Sequence, residues 1–156
     1  MVPSLVWRQS KLAWLAFIPD CPDPHGEQLT KKVPASAEAL CAHLLEFGGN
    51  CVCLRFDEKD CKKLLTQGHL IEVRGVQFQF GEPGQCHSNS AMLWRQNRKS
   101  YRIVTGYALT ETDGIWRQHS CVLDANGTLV ETTEERSKYY GLILSGWRAW
   151  QFANQN

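Results

Sequence analysis

The stretch from Tyr101 to Thr132 reads YRIVTGYALTETDGIWRQHSCVLDANGTLVET, and it decides the fold of the chain. Three segments rich in β-branched and aromatic residues follow one another in it, at residues 101–109, 115–123 and 128–132. They are joined by Glu-Thr-Asp-Gly at 111–114 and by Asp-Ala-Asn-Gly at 124–127, and both connections have the composition of hairpin turns. The sequence therefore predicts three consecutive antiparallel strands.

Helical patterns come before this sheet. A loop containing Gly and Pro at 81–85 precedes a predicted helix that runs from Cys86 to about Lys99. Upstream, the patterns predict a loop at 20–26 and then a helix that Ser36 caps and Gly48-Gly49 ends. A strand at 51–56 follows, and after it a helix that Asp57 caps, that runs through Leu65 and that stops near Gly68. Residues 70–80 have the pattern of a hairpin or a bent strand. Helices packed on an antiparallel sheet give an α+β fold, and the length suits a single domain over residues 1–156.

The bulk composition argues against several classes of partner. The net charge is +1 and the isoelectric point is near 7.6, so no overall field attracts nucleic acid or an anionic membrane. Seven cysteines, an odd number, and an N-terminal region interrupted at residues 8–11 by polar side chains are typical of reduced thiols in a cytoplasmic protein. We therefore expect a protein or peptide partner, and neither nucleic acid nor membrane.

No motif in the sequence calls for a metal or an organic cofactor. Gly-rich phosphate loops are absent, and we expect no cofactor. Cys41-x-His43 and Cys51-x-Cys53 offer four potential zinc ligands, but they lack the Cys-x-x-Cys spacing of a zinc knuckle. We therefore expect no metal site.

Cys86 is the candidate nucleophile because of its position at the start of a predicted helix. A thiol there faces unsatisfied backbone amides and the positive end of the helix dipole, and both lower its pKa. The same amides suit an oxyanion hole. The other reading, a small buried core residue, describes most free cysteines, including those inside the apolar elements at 41, 51, 53 and 61.

His119 and Glu131 are the candidate base and orienting acid. His119 lies in the middle of the second predicted strand, and Glu131 follows 12 residues later in the third. A two-residue Asn-Gly turn would place Val122 opposite Glu131, and His119 would then face the other side of the sheet. A three-residue turn would pair Asp124 with Thr128 and bring Glu131 diagonal to His119. The turn composition favours the second register, and with it a Cys-His-acid triad.

These motifs also resemble a known family. The resemblance is to the transglutaminase-like branch of the papain-fold cysteine enzymes. Four segments carry it: Cys86 with its helix, Val104-Thr105-Gly106-Tyr107, His119-Ser120-Cys121 and Glu131-Thr132-Thr133. In that branch a helix-borne Cys is followed by Val-x-Gly-Tyr, His-Ala-Trp and Asp-Pro-Thr strands. The resemblance covers residues 81–144 and implies a papain-like core with Cys86 as nucleophile, His119 as base and Glu131 as acid. Residues 1–80 match no known pattern, and we interpret them as a family-specific N-terminal part of the same domain.

Four further residues are candidates for oxyanion or substrate contacts. Gln85 precedes the nucleophile and carries an amide donor, and His87 follows it; each also reads as an ordinary residue at a helix terminus. The chain also resembles small bacterial and phage papain-like proteins that carry Cys-x-x-Asn-Ala and a later Tyr-x-Gly; Asn89 and Tyr140-Gly141 correspond to these patterns, with Ser90 where Ala is common. Aromatic residues at such positions, Tyr139 and Tyr140 among them, are more often part of a core.

The activity expected from these residues is hydrolysis of an amide or acyl bond through a thioester, as in a peptidase or deamidase. A transglutaminase-like acyltransferase is the nearest enzymatic alternative. A catalytically inactive papain-like module that binds a protein is the alternative from another class.

Overall fold

A computed structural model describes the chain at residues 4–8, 34–55 and 60–156, and it has a mixed α+β architecture. The described elements are β1 (Ser4–Arg8), α1 (Ala35–Glu46), β2 (Cys51–Arg55), α2 (Cys61–Gln67), β3 (His69–Leu70), β4 (Gly75–Phe78), α3 (Cys86–Gln96), β5 (Arg102–Thr110), β6 (Ile115–Leu123), β7 (Thr128–Glu131), β8 (Lys138–Leu144) and α4 (Gly146–Gln155). The loop predicted at 20–26 and the cap predicted at Asp57 lie outside the described residues.

The strands form one mostly antiparallel sheet in the order β1-β2-β6-β5-β8-β3. The β2–β6 and β4–β7 pairs are parallel, and the other pairs are antiparallel. One edge of β6 is divided: β2 pairs with residues 115–117, and β7 pairs with residues 122–123. Between these two partners, residues 118–121 pair with no described strand on that edge.

Side chains alternate between two hydrophobic cores on the two faces of the sheet. All four described helices contribute to the larger core, together with strand residues such as Tyr107, Val122 and Tyr140. The neighbouring strand residues Ala108, Cys121 and Tyr139 belong to the smaller core on the other face. His119 and Glu131 share this second face, since they lie two residues from Cys121 and Leu129 respectively.

The three predicted strands and the helix after residue 85 are confirmed, with ends that differ by one residue for the strands and by about three for the helix. The predicted register between β6 and β7 is also confirmed, because Val122 pairs with Val130. The Asp124 carboxylate accepts the amides of Asn126 and Thr128 at 2.8 and 2.7 Å, and Gly127 has a φ of 82°. This is the three-residue turn with a left-handed glycine.

Two local predictions are wrong. Ser36 lies inside α1, whose N-cap is Pro34, so its hydroxyl does not cap the helix. Residues 70–80 do not form a hairpin, because β3 pairs with β8 whereas β4 pairs with β7. The pairing partners lie far along the chain, so alternation within the segment carried no information about them.

Two glycines allow β5 and β8 to approach closely beside the candidate site. Gly106 lies opposite both His119 and Gly141, one on each neighbouring strand. A β-carbon at Gly141 would lie 2.3 Å from the carbonyl oxygen of Thr105. Any side chain at this position therefore pushes the strands apart.

We predict that Gly141→Ala lowers the free energy of unfolding by about 1–3 kcal/mol, because the added methyl group overpacks backbone that cannot yield. Urea denaturation measures this change. Gly75→Ala is the matched control, since a β-carbon there meets no atom within 4 Å. Equal stability of the two variants would contradict the close approach.

Candidate active site

The Cys86 thiol lies at the open segment of the β6 edge. Helix α3 begins at Cys86, and the thiol accepts a hydrogen bond from the backbone amide of Ser120, within the stretch that neither β2 nor β7 covers. Helix α3 packs in the larger core, whereas His119 is on the other face of the sheet. The gap in the strand pairing is therefore what allows the helix N-terminus to meet His119.

The loop before Cys86 is held by the side chain of Asn89. The Asn89 side-chain oxygen accepts the Glu82 amide at 3.1 Å, and its amide nitrogen donates to the Glu82 carbonyl at 2.9 Å. The amide of Gly81 donates to the Thr132 carbonyl at 2.9 Å. A β-carbon at Gly81 would lie only 2.5 Å from the Asn89 side chain. This set of contacts fixes the loop between the end of β7 and the start of α3.

His119 connects the cysteine with a buried carboxylate. The Nε2 atom of His119 lies 2.8 and 3.1 Å from the two carboxylate oxygens of Glu131. A second hydrogen bond joins His119 to Cys86, and Nδ1 is the ring nitrogen left to make it. His119 is 4% exposed and Glu131 is fully buried, so solvent does not screen this pair.

Further donors surround the Glu131 carboxylate. Its Oε1 atom accepts the amides of Thr132 and Thr133 at 2.8 and 3.2 Å and the Thr133 hydroxyl at 3.3 Å. Its Oε2 atom accepts the hydroxyl of Tyr139 at 3.0 Å. Burial alone raises the pKa of Glu131, but the hydrogen bond and charge of His119 and the two amides bring it below the ordinary carboxyl value. The carboxylate therefore stays ionised despite its burial.

The pKa values of Cys86 and His119 move in opposite directions. Burial, the strongest influence on Cys86, raises the thiol pKa, but the hydrogen bond and charge of His119 and the Ser120 amide lower it below the ordinary value. Burial lowers the pKa of His119, but hydrogen bonds to Cys86 and Glu131, with the charges of both, raise it to about 9. Both shifts favour a thiolate beside an imidazolium over a neutral thiol beside a neutral imidazole.

Of the seven site residues predicted from the sequence, the structure brings Cys86, His119 and Glu131 together. Gln85 is the exposed N-cap of α3, next to the thiol. The Nδ1 atom of His87 lies 2.7 Å from the Ser120 hydroxyl, and that hydroxyl donates to Thr105 at 2.9 Å.

Asn89 and Tyr140 do not take part in the cluster. Asn89 is occupied by the preceding loop, as described above. Tyr140 lies in the larger core on the other face of the sheet, and its hydroxyl donates to the Leu64 carbonyl at 2.9 Å. Tyr140 therefore packs on the face of the sheet opposite to His119 and Glu131.

Tyr139 and the Ser120 amide are two site groups that the sequence did not indicate. The sequence predicts Tyr139 only as an aromatic residue of the core, and its contact with Glu131 depends on which face of β8 it occupies. That face follows from the pairing of Ala108 with Tyr139. The sequence indicates that Tyr139 and Tyr140 point to opposite faces of the sheet, but nothing in it shows which of the two residues lies at the site.

A scan against protein-family models, a search of curated proteins and a search of solved structures found no significant match to this chain. No group of three or more His, Cys, Asp or Glu side chains in the described part of the chain is arranged to hold a metal ion. No helix among the described residues is long and apolar enough to cross a membrane.

We predict that Cys86 is alkylated by iodoacetamide with a pH midpoint below the ordinary thiol value of 9.0, because the thiolate is the reacting form. His119→Ala removes the hydrogen bond and charge of His119 and leaves the burial and the Ser120 amide, so the midpoint moves upward. One pKa unit corresponds to about a tenfold slower reaction below both midpoints.

Mass spectrometry of peptides measures the reaction at each cysteine separately. Cys53, which is also half-buried, serves as the internal control and should react at the same rate in both proteins. The assignment of the reactive thiol fails if Cys86 reacts no faster than Cys53 near neutral pH, or if His119→Ala leaves its rate unchanged.

We predict that Glu131→Gln lowers the free energy of unfolding by about 3 kcal/mol, because it removes the buried carboxylate charge that stabilises the His119 imidazolium. The pKa of His119 should also fall from about 9, since its hydrogen bond and charge interaction with the carboxylate raise it. Urea denaturation and NMR titration of the histidine ring measure the two effects. Glu135→Gln, at an exposed position four residues later, is the control and should change neither.

Proposed function

We propose that the chain is a cysteine-dependent hydrolase that acts on an amide or acyl bond, with Cys86 as nucleophile, His119 as base and Glu131 as the acid that orients it. The observation that carries the proposal is the position of His119, hydrogen-bonded to Cys86 on one side and to a buried, ionised Glu131 on the other. A nucleophile, a base and a third group that holds the base are the parts that thiol catalysis requires.

In the acylation step, the Cys86 thiolate attacks the carbonyl carbon, and the carbonyl oxygen becomes an oxyanion. The amide of Cys86 is the first of α3 and has no partner within the helix, so it suits this oxyanion; the exposed Gln85 side chain is the second candidate donor. The intermediate collapses when His119 gives its Nδ1 proton to the leaving nitrogen. The leaving amine departs, and a thioester on Cys86 remains.

In the deacylation step, neutral His119 takes a proton from a water molecule, whose oxygen attacks the thioester carbonyl. The second tetrahedral intermediate releases the carboxylic acid and returns the thiolate–imidazolium pair. Glu131 stays ionised throughout and stabilises the imidazolium each time it forms. Its five hydrogen-bond donors hold it in place for this role.

The order of the elements supports a papain-like core for this enzyme. A helix that carries the cysteine is followed by a central strand, the histidine strand and the acid strand, as in the transglutaminase-like branch that the sequence resembles. Cys121 stands where that branch has Trp, and burial raises the pKa of this second thiol well above its ordinary value. Cys121 is therefore a neutral packing residue, whereas Cys86, which is hydrogen-bonded to His119, is the activated one.

Strand β4 supports a polypeptide as the substrate. It pairs with β7 on one side, and its other edge has no partner among the described strands. Residues 75–80 carry no charge, and Val76, Phe78 and Phe80 are exposed. Free backbone donors and acceptors beside apolar side chains suit an extended peptide added as a further strand. The strand leads directly into the loop before Cys86, which places such a peptide near the thiol.

We predict that para-nitrophenyl acetate acetylates Cys86 and that the protein then turns over, because His119 activates water against the thioester. Intact-mass spectrometry should show an acetyl adduct on the wild-type chain, and absorbance should show continued release of nitrophenol. Cys86→Ala should lose both signals, and Cys53→Ala, the matched control, should retain them.

A second arm of this test separates hydrolysis from acyl transfer. A primary amine such as glycine ethyl ester is added, and the product is identified as acetate or as the acetylated amine. Acetate as the main product agrees with a hydrolase, and the acetylated amine would favour the acyltransferase. An unmodified Cys86 with no nitrophenol release above that of Cys86→Ala would overturn the proposed function.

A further inference from the structure

A groove lies between the C-terminal end of α3 and the start of α4. It is lined by Trp94 and Arg98 on one side and by Gly146, Trp147 and Trp150 on the other, and it encloses about 480 Å³. The two helices run in opposite directions here, because His87 near the start of α3 contacts Phe152 near the end of α4. The groove is thus at the opposite end of α3 from Cys86.

The groove presents aromatic surface to solvent. Trp147 is 64% exposed and Trp150 is 40% exposed, and their rings stack with centroids 4.5 Å apart and an angle of 16°. The Arg98 guanidinium lies 5.1 Å from the centre of the buried Trp94 ring. Exposed tryptophans beside an arginine are the residue types that dominate binding at protein interfaces.

The two segments that build the groove carry only positive charge. Residues 86–110 and 136–156 contain seven Lys or Arg residues and no Asp or Glu: Arg95, Arg98, Lys99, Arg102, Arg136, Lys138 and Arg148. Three of these bind within the chain, since Arg95 donates to Ala153, Arg136 to Glu134 and Lys138 to Phe47. Arg98, Lys99, Arg102 and Arg148 are exposed and form no ion pair with any described carboxylate.

We propose that this groove binds an acidic polypeptide segment that carries an aromatic or leucine side chain. The side chain would insert against Trp147 and Trp150, and the carboxylates would face Arg98 and its exposed neighbours. The positive charge of the groove favours a partner with carboxylates, and the exposed tryptophans favour a partner that also carries an apolar side chain. Only four exposed cations without an ion pair belong to these two segments, in a chain whose net charge is +1, and this favours a short acidic segment over the extended backbone of a nucleic acid.

The groove is placed to hold a protein substrate near Cys86, and in this respect the inference rests on the proposed function. Trp94 follows Cys86 by eight residues on one helix, a rise of about 12 Å. An extended peptide of about four residues spans that distance. The acidic segment would therefore lie a few residues from the bond that is cleaved, and it would act as an anchor outside the reacting centre.

Fluorescence anisotropy tests the binding with the full chain carrying Cys86→Ala, so that no probe is consumed. The probe is a short fluorescein-labelled peptide of Glu, Phe and Leu. We expect saturable binding that weakens with added salt, and a loss of about tenfold or more in affinity for either Trp147→Ala or Arg98→Glu. Lys62→Glu reverses a charge at an exposed position of α2 and is the matched control. This variant should bind the peptide with the affinity of the parent.

Three results would overturn the proposal: no binding of the acidic peptide, equal binding of a peptide with Lys in place of Glu, or equal affinity in Arg98→Glu and Lys62→Glu. Tighter binding of a fluorescent oligothymidylate than of the peptide would show that nucleic acid is the true partner. Both groove substitutions are at exposed positions. When each is made in the chain that retains Cys86, the fast alkylation of Cys86 should be unchanged. That readout separates two failures. If the groove proposal is wrong, the peptide does not bind while Cys86 is still alkylated rapidly. If the proposed hydrolase is wrong, alkylation and turnover are absent while the peptide still binds.

Discussion

The buried contact between Glu131 and His119 is the interaction on which the rest of the structure depends. An ionised carboxylate with no exposure to solvent is stable only when its charge is matched and its oxygens are saturated with donors. Both conditions are met by His119 from β6, by the Tyr139 hydroxyl from β8 and by the residues after β7. The same carboxylate favours the imidazolium, and the imidazolium favours the Cys86 thiolate. The stability of this region and the reactivity of the thiol therefore share one electrostatic origin.

The geometry that allows this contact comes from an incomplete strand edge. A full-length partner along β6 would occupy the Ser120 amide and block the approach of α3. Instead β2 and β7 each cover a part of that edge, and the amide in the gap donates to the Cys86 thiol. An interruption that leaves main-chain groups unpaired would cost stability elsewhere in a sheet. Here the N-terminus of α3 fills it, with Cys86 as the first residue of the helix.

Local chemistry made the central part of the fold predictable, and long-range pairing made the rest unpredictable. The turn at 124–127 fixes the β6–β7 register through Asp124 and Gly127, so the relation of His119 to Glu131 followed from the sequence. The same reasoning failed for residues 70–80, because Leu70 pairs with Tyr140, 70 residues away, and β4 pairs with β7, 53 residues away. It also failed for Tyr139 and Tyr140, since the face that each occupies is set by the pairing of β8 with β5. Asn89 matched a family pattern, but its hydrogen bonds show that it holds the loop before Cys86.

The two ends of helix α3 differ in chemistry, with Cys86 at the N-terminal end and the aromatic groove at the C-terminal end. Only one feature of the C-terminal end lacks an explanation within the fold. Cations near a helix C-terminus stabilise the helix dipole, so the positions of Arg95 and Arg98 have a structural reason. The Trp94 ring is buried and packs in the larger core. The exposed indoles of Trp147 and Trp150 have no comparable reason, because their stacking removes only part of their surface from water. The absence of Asp and Glu from both segments of the groove is why we propose that a partner with its own negative charge covers these rings.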